Sequence, residues 1–253
     1  MNYDFSNKHF LVVGASSGIG REVALNLVEC GASVSVISRR EEKLCELKEM
    51  CNGQLDYCQA DVREYSKINE AIETFAIKKG KFDGVVYTAG ISHIIPIRII
   101  DIDVEKEMMD VNYWGAVNVI KSILKRRIAN EGTSVVLVSS LAAKTCTRGM
   151  SSYAASKAAL KALSRCAAQE YGSKSYRINT ISFGRISNTD MTNRGSLILR
   201  EDTQENVKKQ CIIRQGEVQD AVNGIIFLLS KESGWMTGTD MLIDGGMNLR
   251  RTC

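Results

Sequence analysis

A tyrosine and a lysine four residues apart, Tyr153 and Lys157, are the side chains of this sequence best suited to proton transfer. Residues i and i+4 of a helix share one face, about 5–6 Å apart at Cβ. Tyr and Lys both have an ordinary pKa of about 10, and a neighbouring ammonium favours the phenolate, which lowers the tyrosine pKa. Such a pair predicts a general acid for carbonyl reduction or a general base for alcohol oxidation. Tyr-x-x-x-Lys by itself is mostly structural, so its weight depends on what surrounds it.

A glycine-rich turn near the start of the chain has the composition of a phosphate-binding turn. Gly14-Ala15-Ser16-Ser17-Gly18-Ile19-Gly20 follows a β-branched run and leads into a segment with helical periodicity. Glycine permits a tight turn and close approach of the backbone to a pyrophosphate, and a helix N-terminus offers free N–H groups. The alternative is a tight strand–helix turn without a ligand. The turn predicts dinucleotide contacts from Gly14, Ser16, Ser17, Gly18, Ile19 and Gly20.

The end of the second predicted strand indicates which dinucleotide is bound. Proteins that bind NAD usually place an acid there for the ribose hydroxyl, but this chain has Ser38, Arg39 and Arg40. A guanidinium matches a 2′-phosphate, so the sequence favours NADP(H) over NAD(H). We expect Arg39 to make this contact; Arg40 could equally be a solvated residue at the start of the next helix. Asp61 and Val62 follow the third strand and are expected at the adenine, with a helix N-cap as the alternative for Asp61.

The composition excludes several other classes of protein. The 253 residues are 44% hydrophobic and 25% charged, and the net charge of +4 is too small to indicate nucleic-acid binding. The main basic cluster, 125–127, is interpreted as a solvated helix end, with a docking patch for an acidic partner as the alternative. The eight cysteines form no Cys-x-x-Cys pair and there are only two histidines, which argues against a zinc site and against Ser-His-Asp chemistry. We expect free thiols, no secretory signal, no membrane span and a cytoplasmic protein.

The order of the predicted elements is typical of an α/β fold. Short β-branched runs alternate with longer helical patterns, and apolar strands in this order predict a parallel sheet covered by helices on both faces. We therefore predict a single Rossmann-type domain over residues 1–253, doubly wound, with about seven strands. The predicted strands are 9–13, 33–38, 55–59, 82–87, 134–139, 177–182 and 241–244. The predicted helices are 18–30, 41–50, 66–79, 104–127, 151–171 and 221–229. Residues 187–210 are polar and weakly periodic, which predicts a substrate-binding flap.

Several short motifs in this order resemble the classical short-chain dehydrogenases/reductases, and the resemblance covers essentially the whole chain. Besides the glycine turn and Tyr-Ala-Ala-Ser-Lys, the matching motifs are Asp61-Val62, Ala89-Gly90, Val111-Asn112, Val138-Ser139-Ser140, Thr237-Gly238 and Asp244-Gly245-Gly246. The pattern is closest to the 3-oxoacyl-[acyl-carrier-protein] reductases, and many sugar, steroid and small-ketone reductases share it.

The resemblance implies a role for each matching residue. Tyr153 would be the general acid/base and Lys157 would bind the nicotinamide ribose and tune Tyr153. Ser140, thirteen residues before the tyrosine, would hold the substrate oxygen, and Asn112 would support a proton-relay water. Ala89 and Gly90 would lie against the cofactor. The reaction implied is direct hydride transfer between NADP(H) and a carbonyl or secondary alcohol, acting on CH–OH donors, with no metal.

Two departures from the family pattern concern the loops. Tyr87-Thr88 stands where the family often has two asparagines, which removes amide contacts. Phe183-Gly184 replaces the usual Pro-Gly, and Thr189 comes one residue later than usual, so the nicotinamide contacts expected from Ile186 and Thr189 are displaced. A phenylalanine lacks the fixed φ of proline, which favours a more mobile loop. His93 follows Ala89-Gly90 and is interpreted as an exposed loop residue, with a substrate contact as the alternative.

Two other functions share parts of this pattern. A catalytically silent, NADP-sensing regulatory protein would keep the fold, but it should have lost the tyrosine or the lysine. Here Asn112, Ser140, Tyr153 and Lys157 are all present. A sugar-nucleotide epimerase or dehydratase shares Tyr-x-x-x-Lys but usually has a longer C-terminal substrate domain. The expected partners are a small carbonyl or alcohol substrate, which a carrier protein could hold, and further copies of the chain. The resemblance implies a homotetramer or homodimer built through the helices that begin near Val104 and Ser151.

Overall fold

Seven parallel strands form one sheet in the order β3-β2-β1-β4-β5-β6-β7 in the computed structural model of the protein. The structure describes residues 3–187, 189 and 210–249. The strands are β1 His9–Val13, β2 Ser33–Ser38, β3 Leu55–Gln59, β4 Phe82–Tyr87, β5 Ala129–Val138, β6 Arg177–Phe183 and β7 Asp240–Ile243. Each neighbouring pair is parallel, which confirms the predicted Rossmann-type, doubly wound sheet.

Helices cover both faces of this sheet. They are α1 Gly18–Glu29, α2 Glu41–Met50, α3 Tyr65–Lys79, α4 Ile102–Met109, α5 Gly115–Ile123, α6 Ala142–Thr145, α7 Ser151–Tyr171 and α8 Val218–Leu229. Alternate strand residues point to opposite faces. Val12 and Val36 therefore belong to a core with α1, α2 and α8, whereas Leu11 and Val13 belong to a second core with α3, α5 and α7.

The strand order reverses between β1 and β4. Consecutive strands β1, β2 and β3 extend to one side of β1, and β4 to β7 extend to the other side. Ligands of open α/β sheets bind at such a switch point, beyond the carboxyl ends of the strands. The glycine-rich turn after β1 and the segment after β4 both leave the sheet at this edge.

The helix predicted over 104–127 is the element that differs most from expectation. It consists of α4 and α5 joined by a π-helical turn, Asp110–Trp114, and it ends at Ile123. Residues 124–128 form turns, and β5 then begins five residues earlier than predicted, at Ala129. A π turn accommodates one extra residue and often marks a functional site.

Two smaller differences have local causes. The helix predicted from 221 begins at Val218, because the side chains of Glu217 and Asp220 form a capping box ahead of it. The proposed flap at 187–210 falls almost entirely outside the described residues, which include only its two ends and Thr189.

Candidate active site

Tyr153 and Lys157 lie on the buried face of α7, where it packs beneath the carboxyl end of β5. Their exposed fractions are 7% and 3%. The Lys157 ammonium donates a hydrogen bond to the carbonyl oxygen of Val138 (2.9 Å) and lies 5.8 Å from the centre of the Tyr153 ring. The alanine-rich sequence of α7 favours a helix and brings this face close to the strand ends.

Ser140 is the serine that reaches Tyr153. The two side chains form a hydrogen bond, and the Ser140 hydroxyl also accepts a hydrogen bond from the backbone N–H of Ala142 (3.1 Å). The preceding Ser139 instead donates to the carbonyl oxygen of Lys157 (2.8 Å), which ties β5 to α7. The thirteen-residue spacing that selected Ser140 over Ser139 therefore agrees with the geometry.

Burial shifts the pKa values of both proton-transfer groups towards their neutral forms. It raises the pKa of Tyr153, and the hydrogen bond with Ser140 acts in the opposite direction without overcoming it. It also lowers the pKa of Lys157 from 10.5 to about 8. The expected lowering of the tyrosine pKa is therefore not seen, because removal from water disfavours the phenolate more than its neighbours favour it.

Asn112 occupies the π turn between α4 and α5 and is completely buried. Its Oδ1 accepts from the backbone N–H of Ile91 (2.8 Å). Its Nδ2 donates to the carbonyl oxygen of Ile91 (3.0 Å) and to the hydroxyl of Ser156 (2.9 Å). The amide thus connects the loop after β4 to α7. Tyr87, fully buried at the end of β4, holds the same turn through a hydrogen bond from its hydroxyl to the carbonyl oxygen of Val111.

Close approach of backbone segments explains the glycines around the switch point. Gly14 has a φ of +96°, and a Cβ on it would lie 2.5 Å from the backbone nitrogen of Ala89. A Cβ on Gly90 would lie 3.2 Å from both the Lys157 Nζ and the Asn112 Oδ1. A side chain on Gly14 would therefore collide with the backbone of Ala89, and one on Gly90 would press on the side chains of Asn112 and Lys157.

The N-terminus of α1 lies in the glycine-rich turn. Gly18 opens the helix, and the N-cap residue Ser17 makes no side-chain cap. The first N–H groups of a helix need partners, and an anion can supply them. Ser16, Ile19 and Gly20 belong to the same turn, and Thr189 reaches it: a Cβ on Gly18 would be 3.7 Å from that of Thr189. These features fit a pyrophosphate.

The two arginines after β2 lie in different surroundings. Arg40, not Arg39, reaches the glycine turn: its Nη2 donates to the hydroxyls of Ser16 (2.9 Å) and Ser17 (2.7 Å). Arg39 points towards Asp61 (3.8 Å) and its side chain is half exposed. Asp61 is held mainly by Arg63, at 2.8 Å. Burial acts to raise the pKa of Asp61, but the hydrogen bonds and charges of Arg63, with the charge of Arg39, lower it.

Several expected adenosine-side residues lie beside these arginines. Ser38 is the last residue of β2 and is buried, and Val62 is buried in the core shared with α3 and α5. The residue that caps α3 is Glu64, so Asp61 is not a helix N-cap.

The two departures from the family pattern are accommodated differently. Thr88 keeps a polar role, because its hydroxyl donates to the carbonyl oxygens of Val13 (2.9 Å) and Gly14 (3.2 Å). Phe183 is buried in the core and its carbonyl oxygen accepts from the backbone N–H of Leu141 (2.9 Å). Ile186, also buried, forms a short parallel bridge with Gly216.

His93 is half-buried, and its surroundings differ from those of an exposed loop residue. The atom Nδ1 has no access to solvent and, among the described residues, no hydrogen-bond partner. The loop that carries it is attached at Ile91 to Asn112 and at Ile95 to the carbonyl oxygen of Gly149 (2.8 Å).

Sequence reasoning missed three side chains of this site. Ser156 and Thr88 hold neighbouring segments through their hydroxyls, and Arg40 bonds the hydroxyls of the glycine turn. The serine in Tyr-Ala-Ala-Ser-Lys was a usable signal, because a polar residue on the buried face of an alanine-rich helix needs a partner.

Two kinds of site are not found in the described part of the chain. Over residues 3–187, 189 and 210–249, no group of three His, Cys, Asp or Glu side chains could hold a metal ion. Within the same residues, no helix combines the length and apolarity needed to cross a bilayer.

Fold and site together define an oxidoreductase of the nicotinamide-dependent α/β type, and comparison with known proteins agrees. A family model described as enoyl-(acyl carrier protein) reductase matches residues 14–248. The chain is 34% identical over 256 residues to the short-chain dehydrogenase/reductase aba4 of Botryotinia fuckeliana, covering 96% of this chain and 97% of that protein. It is 31% identical to L-xylulose reductase of Caenorhabditis elegans, covering 98% of each chain. It is 28% identical to the 3-oxoacyl-[acyl-carrier-protein] reductase FabG of Chlamydia muridarum, covering 98% and 100%.

Solved structures give the same result. A short-chain type dehydrogenase/reductase from Mycobacterium ulcerans superposes with a TM-score of 0.91 at 32% identity, covering 98% of this chain and 92% of that one. A gluconate 5-dehydrogenase from Burkholderia cenocepacia, in complex with NADP and tartrate, has a TM-score of 0.90 at 25% identity, covering 99% and 98%. The chain belongs to the short-chain dehydrogenase/reductase family, whose named members oxidise alcohols or reduce carbonyl groups.

Proposed function

We propose that the protein transfers a hydride between NADP(H) and a carbonyl or secondary-alcohol substrate, with Tyr153 as general acid/base. The observation that carries the proposal is the enclosed contact of the Tyr153 phenol with the Ser140 hydroxyl, beside the buried Lys157. A tyrosine whose pKa is raised holds its proton at neutral pH. It is therefore available to protonate a carbonyl oxygen, and the phenolate left behind is the base that would accept the proton of an alcohol in the reverse direction.

Each of the other residues at this site has a proposed part in the step. The bound cofactor supplies or accepts the hydride at the substrate carbon. Ser140 holds the substrate oxygen next to the Tyr153 proton while negative charge develops on it. Lys157 binds the ribose hydroxyls and stabilises negative charge on Tyr153, and Asn112 supports the path by which the proton is replaced. The catalytic residues proposed are Asn112, Ser140, Tyr153 and Lys157.

The preference for NADP(H) rests on the position of Arg40. Its guanidinium lies over Ser16 and Ser17, next to where the glycine turn would hold the adenosine ribose. A guanidinium there suits a 2′-phosphate. The NADP-bound gluconate 5-dehydrogenase has the same fold, which is consistent with this preference. The cofactor contacts proposed are Gly14, Ser16, Ser17, Gly18, Ile19, Gly20, Ser38, Arg39, Arg40, Asp61, Val62, Ala89, Gly90, Tyr153, Lys157, Ile186 and Thr189.

The relatives suggest two kinds of substrate. Ketose reduction is named for one relative and 3-oxoacyl-carrier-protein reduction for another. The basic segment 125–127 is weak support for an acidic carrier protein, because Lys125 already bonds Asn69 (2.6 Å) and Glu73 (3.1 Å). We therefore favour a small, free carbonyl substrate.

Other features of the chain support proposals on its oligomeric state, its location and its domain organisation. Apolar side chains at the surface before and within the α4–α5 helix, Ile97, Ile99, Ile102 and Trp114, are more than half exposed, which supports a homodimer or homotetramer built there. The described cysteines are all free thiols, which supports a cytoplasmic location. We further propose that the chain is one domain and that residues 187–210 cover the substrate.

A substrate panel tests the proposed function. Purified protein is mixed with small ketones, keto-sugars and 3-oxoacyl thioesters, each with NADPH and with NADH, and cofactor oxidation is followed by absorbance. We expect turnover of at least one carbonyl, faster with NADPH, and loss of that turnover in Tyr153→Phe. A Tyr153→Phe variant as active as wild type on every carbonyl would refute the enzyme and leave the silent, NADP-sensing alternative.

A further inference from the structure

Ser156 lies directly before Lys157, and its hydroxyl has a fixed orientation. The side chain has no exposed surface. Its single hydrogen is donated to the carbonyl oxygen of Tyr153 (2.8 Å), and its oxygen accepts from the Asn112 Nδ2 (2.9 Å). Because a serine hydroxyl carries only one hydrogen, the direction of both bonds follows from these contacts.

These bonds determine which way the Asn112 amide points. Both hydrogens of Nδ2 are used, one by Ser156 and one by the carbonyl oxygen of Ile91. Oδ1 therefore occupies the other side, where it accepts from the N–H of Ile91. The Oδ1 atom and the Lys157 ammonium are both 3.2 Å from the position that a Cβ on Gly90 would take. Of the atoms of the amide group, Oδ1 is thus the nearest to a position that the ammonium also approaches.

We propose that Ser156 is a positioning residue for proton transfer at this site: it keeps the Asn112 oxygen, and not its NH2 group, towards Lys157. The proposal rests on the proposed function. An amide in the opposite orientation would present two N–H donors towards a cation and would leave the N–H of Ile91 facing a donor. In the described chain, burial alone shifts the pKa of Lys157, and no charged side chain contributes to the shift. A nearby neutral dipole is therefore a comparatively large influence on that ammonium.

Removing the hydroxyl is the direct test. In Ser156→Ala we expect kcat to fall on the order of tenfold with KM nearly unchanged, since a buried N–H loses its partner and the amide can reorient. We also expect the basic limb of the pH profile of kcat to move to lower pH, because the ammonium loses a favourable dipole. Ser156→Thr retains a hydroxyl and should restore both the rate and the profile.

Ser164 provides the matched control on the same helix. It is 1% exposed and donates to the carbonyl oxygen of Lys161 (3.0 Å), three residues earlier, as Ser156 donates to Tyr153. Ser164→Ala should lower the melting temperature as much as Ser156→Ala but leave the pH profile unchanged. If Ser156→Ala changes stability only, with the wild-type profile, the positioning role is wrong.

A measurement without cofactor separates this inference from the proposed function. In the cofactor-free protein, the Lys157 side chain can be titrated by NMR, starting from a pKa of about 8. We expect a lower midpoint in Ser156→Ala and the wild-type midpoint in Ser156→Thr and Ser164→Ala. A midpoint that stays at the wild-type value in Ser156→Ala overturns the inference even if the enzyme is active. Equal activity of wild type and Tyr153→Phe overturns the proposed function instead.

Discussion

The two ends of the crevice at the switch point are built in different ways. At the end of β2, Arg40 is held by the hydroxyls of the glycine turn and Arg39 by a long ion pair on a half-exposed side chain. At the end of β5, the groups that would move a proton are buried and held largely by main-chain atoms, as Lys157 is by the carbonyl oxygen of Val138. The contrast suggests that substitutions at the surface can change which cofactor is bound. The proton-transfer groups depend instead on the backbone of β5, of α7 and of the π turn between α4 and α5.

The largest effect is expected for Lys157→Met, which should inactivate the enzyme and yet stabilise the cofactor-free protein. Activity should fall by about 10²- to 10⁴-fold, the range of an acid–base contribution. Because burial lowers the Lys157 pKa from 10.5 to about 8, the unfolded chain binds more protons between these pH values. The stability of wild type should therefore rise with pH over this window, by on the order of 3 kcal/mol at 1.4 kcal/mol per pKa unit.

Chemical denaturation of cofactor-free protein at pH values from 7 to 10 measures this effect. Lys157→Met should exceed wild type in unfolding free energy at pH 7, and the two should converge as pH rises. The exposed Lys174 provides the control, since Lys174→Met should follow wild type throughout. Parallel curves for wild type and Lys157→Met would mean that the ammonium is not disfavoured by burial.

A methyl group on Gly14 should damage the turn more than the same change at an open glycine. Gly14→Ala combines a positive φ with a Cβ 2.5 Å from the backbone of Ala89, whereas Gly80 has a similar φ of +90° and nothing within 4 Å. Gly80→Ala should cost about 1–2 kcal/mol of unfolding free energy. Gly14→Ala should cost clearly more, and should weaken cofactor binding at least tenfold in a fluorescence titration. Similar losses in both variants would show that the approach to Ala89 relaxes easily.

The two arginines should differ in their effect on cofactor selectivity. In Arg40→Ser we expect the Kd for NADPH to rise about tenfold or more, the value of one charge-assisted hydrogen bond, with the Kd for NADH nearly unchanged. Arg39→Ser should have a smaller effect on selectivity because its guanidinium points to Asp61. Calorimetric titration of both cofactors against both variants decides the assignment, and a larger selectivity loss in Arg39→Ser would return the role to Arg39.

The smallest effect is expected for Thr88, which ties the switch point together through one hydroxyl. Thr88→Val removes hydrogen bonds to Val13 and Gly14 and should lower the unfolding free energy by about 1 kcal/mol. Thr145, whose hydroxyl makes a single bond of 3.3 Å to Leu141 on an exposed helix, is the control. An equally small loss in both variants would indicate that Thr88 only fills space.

Strong local patterns made most of the fold predictable. Buried parallel strands are rich in apolar and β-branched residues, and β1, β2 and β4 were recognisable from such short runs between helical patterns. The glycine turn and the Tyr153–Lys157 pair could be placed because each follows such a strand. The grouping of Ser140 with Tyr153 follows from the family spacing and agrees with the observed contact.

Features that depend on distant contacts were not predictable. The π turn contains no proline or glycine, and it is held by Tyr87 from another strand and by the bonds of Asn112 to Ile91. Which of two adjacent arginines reaches the glycine turn depends on the backbone direction at the end of β2. The pKa of Tyr153 was expected to fall because the neighbouring lysine is visible in the sequence. The burial of the phenol, which raises that pKa, depends on the fold.

The π turn also rotates α5 about the helix axis relative to α4. α4 packs against α7, and α5 packs against α3. One inserted residue rotates the following part of a helix by about 100° about its axis. Each of the two helices can therefore direct its apolar side to its own neighbour. Deleting one residue from this turn would leave a continuous α-helix with good local geometry, but it would change the rotation of α5 relative to α4. The length of this turn, more than its composition, is therefore what the surrounding sequence must preserve.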